Sequence, residues 1–222
     1  MTDPGLVPLF PLNSVLFPGQ LIPLLIFEPR YRTMINECLE GDSVFGVVLI
    51  REGQEVGGAA LPYEVGTLAR IRRVDRLEDG RMHLVCLGEI RFRIHSLDYS
   101  RPFLQGQVDL WPLATAEEAR LVEPALDLPA LNHLLSRYMQ LLASATGNRI
   151  ELKELPAEPL LLANLAAIAL QVSNEEKQML LTRPTLYELV ESCCILLKRE
   201  NRALKIAAAI PGRRDDYNIS SN

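Results

Sequence analysis

The chain has 222 residues, 48% of them hydrophobic and 23% charged, with a net charge of −5. That balance excludes a largely disordered chain, a collagen-like fibre and a small disulfide scaffold, and the length is ample for a sizeable core. A mild acidic excess also argues against bulk binding to nucleic acid or anionic membrane, where neutralisation of phosphate dominates affinity.

From Leu6 to about Trp111 the sequence is built of short β-type runs punctuated by glycine and proline. Leu6–Leu12 carries two prolines and suits an edge strand or an irregular extended segment. Val15-Leu16-Phe17 forms a short run ended by Pro18-Gly19, and Leu21–Phe27 is a second apolar run interrupted by Pro23. Pro29 suits a first helical position. Behind it Tyr31, Met34, Ile35, Cys38 and Leu39 recur at helical spacing, so one stripe should be buried up to Gly41. Val44–Ile50 is continuous enough for a strand buried on both faces, and Arg51–Ala60 is expected to be a loop. Two strands flank Glu78-Asp79-Gly80, where Asp-Gly favours a tight hairpin turn with positive φ. Arg91–His95 alternates, which sets Phe92 and Ile94 against Arg91, Arg93 and His95. Phe103–Leu110 completes a small barrel or pseudo-barrel.

Beyond Thr115 leucine and alanine recur at helical spacing. Thr115 and Glu118 form a capping-box pattern. Pro124 and Pro129 interrupt before a helix expected over Ala130–Thr146. Leu160–Val172 is apolar nearly all round and should be the most buried helix. Ser173 and Glu176 make a second capping box for a short helix ending near Leu181, and Pro184 opens the last helix. The division expected is a β-rich lobe over 1–112, a helical lobe over 113–210 and a disordered tail over 211–222.

The cysteines at 38, 86, 193 and 194 lack C-x-x-C spacing, and no histidine pair completes a metal site. They suit buried thiols in a reducing compartment. The N-terminus lacks the basic flank of a signal peptide, and the Leu160–Leu170 run is too short to span a bilayer. A cytoplasmic protein without metal or cofactor is expected.

Taken together, Pro8-Leu9-Phe10-Pro11-Leu12, Val15-Leu16-Phe17-Pro18-Gly19 and Pro23-Leu24 resemble the opening of the Lon protease N-terminal (substrate-binding) domain. The likeness continues through Phe27-Glu28-Pro29-Arg30-Tyr31-Arg32, Tyr63-Glu64-Val65-Gly66-Thr67, Asp79-Gly80-Arg81 and Gly88-x-x-Arg91-Phe92-Arg93-Ile94. It extends more loosely over Glu158-Pro159-Leu160, Glu176-Lys177-Gln178 and Leu180-Leu181, so that roughly residues 6–205 are covered. The resemblance implies an α+β fold in which a PUA-like pseudo-barrel lobe precedes a helical bundle lobe. It also implies a role in engaging unfolded or tagged polypeptides, in connection with a protease or chaperone system. No G-x(4)-G-K-[ST] phosphate loop occurs in the sequence, and the length leaves no room for a Lon ATPase or protease domain. The expectation is therefore a bacterial, non-enzymatic binding module resembling the family's stand-alone members.

Pro11, Phe17, Arg30, Tyr31 and Trp111 are the candidates for polypeptide contact, although Pro11, Phe17, Pro18 and Phe27 are most simply core and turn residues and Tyr31 belongs to the buried helix stripe. Trp111 stands where the lobes should meet, and either seals that junction or lines a groove. An RNA-binding PUA-like protein is the alternative, because residues 70–101 hold eight arginines against five acids. Arg72, Arg91 and Arg93 would carry it. Interleaved acids and scarce neighbouring aromatics favour instead a solvated arginine face. No triad or metal signature gives His83, His95 or His133 a catalytic part.

Overall fold

The computed structural model describes residues 5–55, 60–113, 126–147 and 154–209. Among the described residues, six strands and five helices follow in the order β1 (Leu6–Leu12), β2 (Leu21–Ile26), α1 (Pro29–Glu40), β3 (Val44–Gly53), β4 (Ala60–Arg76), β5 (Met82–Asp98), β6 (Gln105–Leu110), α2 (Leu128–Thr146), α3 (Pro159–Ala169), α4 (Asn174–Leu181) and α5 (Leu186–Ala209). The fold is α+β. The loop expected over Arg51–Ala60 is shorter at both ends, since Arg51–Gly53 extend β3 and Ala60 opens β4. Residues 56–59, the Thr115/Glu118 capping pattern and the tail expected from 211 lie outside the described residues.

Two compact units divide the chain, and the first is discontinuous: Met1–Leu113 together with Val172–Arg183. Its sheet runs β2-β5-β4-β3-β1-β6, and β6 returns to β5. Five strands thereby close on themselves, while β2 hangs outside the closure. The 17-residue β5 makes this possible, since its first half pairs with β2 and its second with β6. Phe92 fills one of two apolar clusters, beside Val7, Leu9, Val48, Leu68 and Val108. Glycine is needed opposite it, because a Cβ at Gly46 or Gly66 would sit 2.7 Å from the Phe92 ring. The other cluster gathers Phe10, Leu16, Ile26, Phe45 and Leu84 under the expected α1 stripe of Tyr31, Met34, Ile35 and Cys38.

Two local details differ from the sequence reading. Gly80 alone takes a left-handed φ in its hairpin. Its N–H donates to Leu77 O at 2.9 Å, so the loop is a turn plus a glycine bulge rather than a two-residue primed turn. Gly41 ends α1 without a left-handed φ, which falls instead on Ser43; both residues donate to the Cys38 carbonyl.

Α4 belongs to the first unit although it lies within the helical half of the sequence. The Ser173/Glu176 capping box forms as expected. Asn174 Nδ2 donates to Asn13 O at 2.6 Å, and Gln178 Nε2 to Val65 O at 2.9 Å. The second bond satisfies a buried strand carbonyl that would otherwise be left orphaned, while the first is an exposed contact to the turn after β1.

The second unit, Ala114–Gln171 with Pro184–Asn222, is helical in its described part. Helix α2 starts two residues before the expected Ala130, with Asp127 accepting from Ala130 N at 3.1 Å. Pro129 does not interrupt it, because a first-turn N–H has no intrahelical partner to lose. Leu131, Leu135 and Tyr138 are buried, and α2 packs against α5 and α3. Tyr138 OH accepts from Gln171 N at 3.0 Å, and Asn201 Nδ2 donates to Leu134 O at 3.0 Å. Helix α3 is largely buried, as its all-round apolarity suggests, with Leu161 the exposed exception. Among the described residues, no helix is long and apolar enough to cross a membrane.

Candidate functional site

Strand β2 carries the main exposed apolar strip of the first unit. The chain enters it through Gly19, whose N–H donates to Gly88 O at 2.8 Å, while Gly88 N donates to Gln20 O at 2.9 Å. Gly88 has to be glycine, since a Cβ there would meet the Phe17 carbonyl at 2.3 Å. From that bond the antiparallel register runs Leu21↔Leu87, Ile22↔Cys86, Pro23↔Val85, Leu24↔Leu84, Leu25↔His83 and Ile26↔Met82. Antiparallel residues alternate between bonded and non-bonded pairs, so the even-numbered residues bond β5 and the odd-numbered ones turn their main chain outward. Pro23, with no N–H to give, falls on the outward set, where no ladder hydrogen bond to β5 is lost.

Side chains alternate in the same rhythm. Ile22, Leu24 and Ile26 pack into the core, while Leu21 is 60%, Leu25 41% and Phe27, one residue past the strand, 45% exposed. Leu87 and Val85 extend this face across β5 as half-buried neighbours, and His83 is exposed beside Leu25. Farther along the face, Arg70 is held by Glu89 at 2.5 Å and Arg73 by Asp75 at 2.9 Å.

A second constellation lies at the start of the closing half of β5. Arg91 is 3% exposed. Its Nη1 donates to Leu181 O at 2.6 Å and Arg183 O at 2.8 Å, and its Nε to Trp111 O at 3.2 Å. Two guanidinium groups lie over the Trp111 ring, Arg91 at 4.4 Å and Arg93 at 4.2 Å from its centroid. Burial, and secondarily the charge of Arg93, brings the Arg91 pKa down to about 10. A cation held by three carbonyls and a ring is a tie between β5, the β6 exit and the end of α4.

The residues singled out from the sequence therefore separate. Pro11, Phe17 and Tyr31 are buried; the Tyr31 ring lies tilted against Phe10, 4.3 Å between centroids. Arg30 is half-buried, bridged to Glu28 at 3.0 Å, and 4.5 Å above the Tyr31 ring. Trp111 is half-buried, with Arg91 and Arg93 against its ring. Of the arginines set aside for RNA, Arg72 and Arg93 are exposed, whereas Arg91 is buried rather than on the solvated face that alternation suggested. The sequence pattern gives Phe27 a core or turn role and does not single out Leu21 or Leu25. A proline in an apolar run does not by itself mark the edge. Leu6–Leu12 carries two and, against the edge-strand expectation, is paired on both sides by β3 and β6, whereas Leu21–Ile26 carries one and pairs only with β5 among the described residues.

Comparisons with known proteins agree with this architecture. The family described as the ATP-dependent protease La (LON) substrate-binding domain matches residues 6–199. Lon protease 2 of Myxococcus xanthus is 34% identical over 209 residues, covering 93% of this chain and 25% of that protein. Lon protease of Anaeromyxobacter dehalogenans is 30% identical over 213 residues, again 93% of this chain and 25% of the relative. The chain thus spans about a quarter of the length of these relatives. Among solved structures, the Lon N-terminal domain protein from Xanthomonas campestris superposes with a TM-score of 0.63 at 26% identity, covering 93% of this chain and 99% of the other. The N-terminal domain of the Mycobacterium avium complex Lon protease, 19% identical, has the same fold with a TM-score of 0.56, over 87% of this chain and 98% of that one. Matched along nearly its whole length in both sequence and fold, this chain belongs to the Lon substrate-binding domain family.

Proposed function

We propose that this protein is a polypeptide-binding module that recognises exposed hydrophobic segments of other proteins and performs no chemistry of its own. The observation that carries the reading is the family match over residues 6–199, which is to a substrate-binding domain. An exposed strip of Leu21, Leu25 and Phe27 supports it, because apolar side chains left in water on an ordered strand offer a partner the same burial that drives folding. Bound segments would be delivered to a protease or held as in a chaperone system, in a cytoplasmic setting.

The test is direct binding of a labelled, permanently unfolded protein, followed by fluorescence anisotropy against its folded counterpart. Saturable binding of the unfolded chain with at least tenfold preference over the folded one is expected. Equal affinity for both, or none for either, would overturn the reading.

A further inference from the structure

We propose that β2 takes its polypeptide by strand addition: an extended segment lies antiparallel along the free edge, with apolar residues at alternate positions. This rests on the polypeptide-binding reading above and adds how the segment is held and which segments qualify. Among the described residues β2 pairs only with β5, so its other edge has no strand partner.

The geometry favours a strand because two alternations coincide. Leu21, Pro23 and Leu25 turn their main-chain groups to the open edge, and the same residues raise their side chains on the exposed face. In an antiparallel partner, the residues opposite them direct N–H and C=O toward β2 and their side chains onto the same face. Main-chain bonding and apolar contact thus select one set of alternate residues in the incoming chain. Leu21 and Leu25 can each exchange two hydrogen bonds with it. Pro23 can only accept, so the edge is weakened at its centre, one of the ways natural sheets discourage indiscriminate pairing. A short edge missing one donor suits capture and release of many sequences, since main-chain bonds are indifferent to side-chain identity.

A second copy of this chain is a poorer occupant. Leu21, Leu25 and Phe27 at their observed exposures offer a strip on the order of 300 Å², at the low end of functional patches. A stable dimer takes about 800 Å² from each partner. The strip fits a transient, extended guest.

The experiment uses the whole protein and a peptide alternating valine and serine between terminal lysines, with binding read by anisotropy. Two further peptides carry N-methyl groups on every valine amide or on every serine amide. Strand addition predicts at least tenfold weaker binding for the valine-methylated peptide and near-unchanged binding for the serine-methylated one. Leu25→Lys, a surface change that should leave the thermal melt intact, should weaken the unmodified peptide at least tenfold, and Phe27→Ser several-fold. Equal tolerance of both methylated peptides, loss confined to the serine-methylated one, no binding of the unmodified peptide, or no effect of Leu25→Lys would overturn strand addition. If the unfolded protein still binds in those cases, the polypeptide-binding reading stands; if it does not, both fall.

Discussion

Arg91 and Trp111 hold each other in two ways: the guanidinium lies 4.4 Å from the indole centroid, and its Nε donates to the Trp111 carbonyl at 3.2 Å. The same side chain reaches Leu181 O and Arg183 O, 90 and 92 residues away in sequence. One buried cation therefore ties a barrel strand to the chain leaving the barrel and to the segment that returns to it. Arg91→Lys keeps the charge but cannot reproduce a planar fork serving three carbonyls and a ring. It should cost about 2–3 kcal/mol in urea-induced unfolding, in line with losing charged hydrogen bonds at a buried site. Hydrogen exchange should show the loosening concentrated at the end of α4. Uniform loss of protection across the first unit, or no loss, would count against the tie.

Gly66 is the tightest glycine of the β3–β4 pair. A Cβ there would meet Val47 O at 2.4 Å, Val48 Cγ1 at 2.6 Å and the Phe92 ring at 2.7 Å. The obstruction includes backbone, which cannot swing aside, so Gly66→Ala should destabilise by about 3 kcal/mol or more, or prevent folding. Gly41→Ala is the control. Its neighbours would be 3.8 Å away and its φ is not left-handed, so a change within about 0.5 kcal/mol is expected. Comparable losses at the two sites would show that the Phe92 slot is not what demands glycine.

The buried thiols make stability fall at alkaline pH. Burial pushes Cys86 up to about 12, with a smaller contribution from Cys38, and pushes Cys38 up to about 11, helped by Glu37. The ordinary value for both is 9.0. A group whose folded pKa is raised contributes stability that is complete below the unfolded pKa and lost as pH climbs toward the folded one. Arg91 acts in the opposite sense, but only above about 10, its lowered folded value. Between pH 8 and 10 the unfolding midpoint should therefore decline, and Cys86→Val should flatten the decline whatever it does to stability at pH 7. An unchanged slope in the variant would show that Cys86 contributes nothing to it.

Helix α4 has only eight residues and relies on its cap. Ser173 Oγ accepts from Glu176 N, and Glu176 Oε2 accepts in turn from Ser173 N, both at 3.3 Å. Ser173→Ala should cost about 1 kcal/mol. Because Gln178 and two of the Arg91 acceptors, Leu181 and Arg183, lie on or just after this helix, faster proteolysis within 172–183 should accompany the loss. Stability within error of wild type would show that tertiary bonds alone hold the helix.

Much of the fold was legible because local chemistry and packing agree. Pro29 opens α1 and the stripe Tyr31, Met34, Ile35 and Cys38 faces inward, as spacing requires. Ser173 caps α4, and Gly80 takes the left-handed φ between two strands. The clustered Lon-like motifs also named the family that the whole-chain matches establish. Sequence alone determined the element types, the core stripes and the family, since these follow from periodicity, turn residues and short motifs.

Tertiary structure decided where two strands end up and what one arginine does. Alternation put Arg91 on a polar face, but that face is covered at residue 91 by the end of α4, whose carbonyls come from ninety residues away. Such a partner leaves no trace in local periodicity. Likewise Leu21–Phe27 is a plain apolar run in sequence, whereas the closure of β6 onto β5 leaves β2 outside the barrel with half its side chains in water. Hydrophobicity says that a residue gains by burial; only the topology says which apolar residues stay exposed.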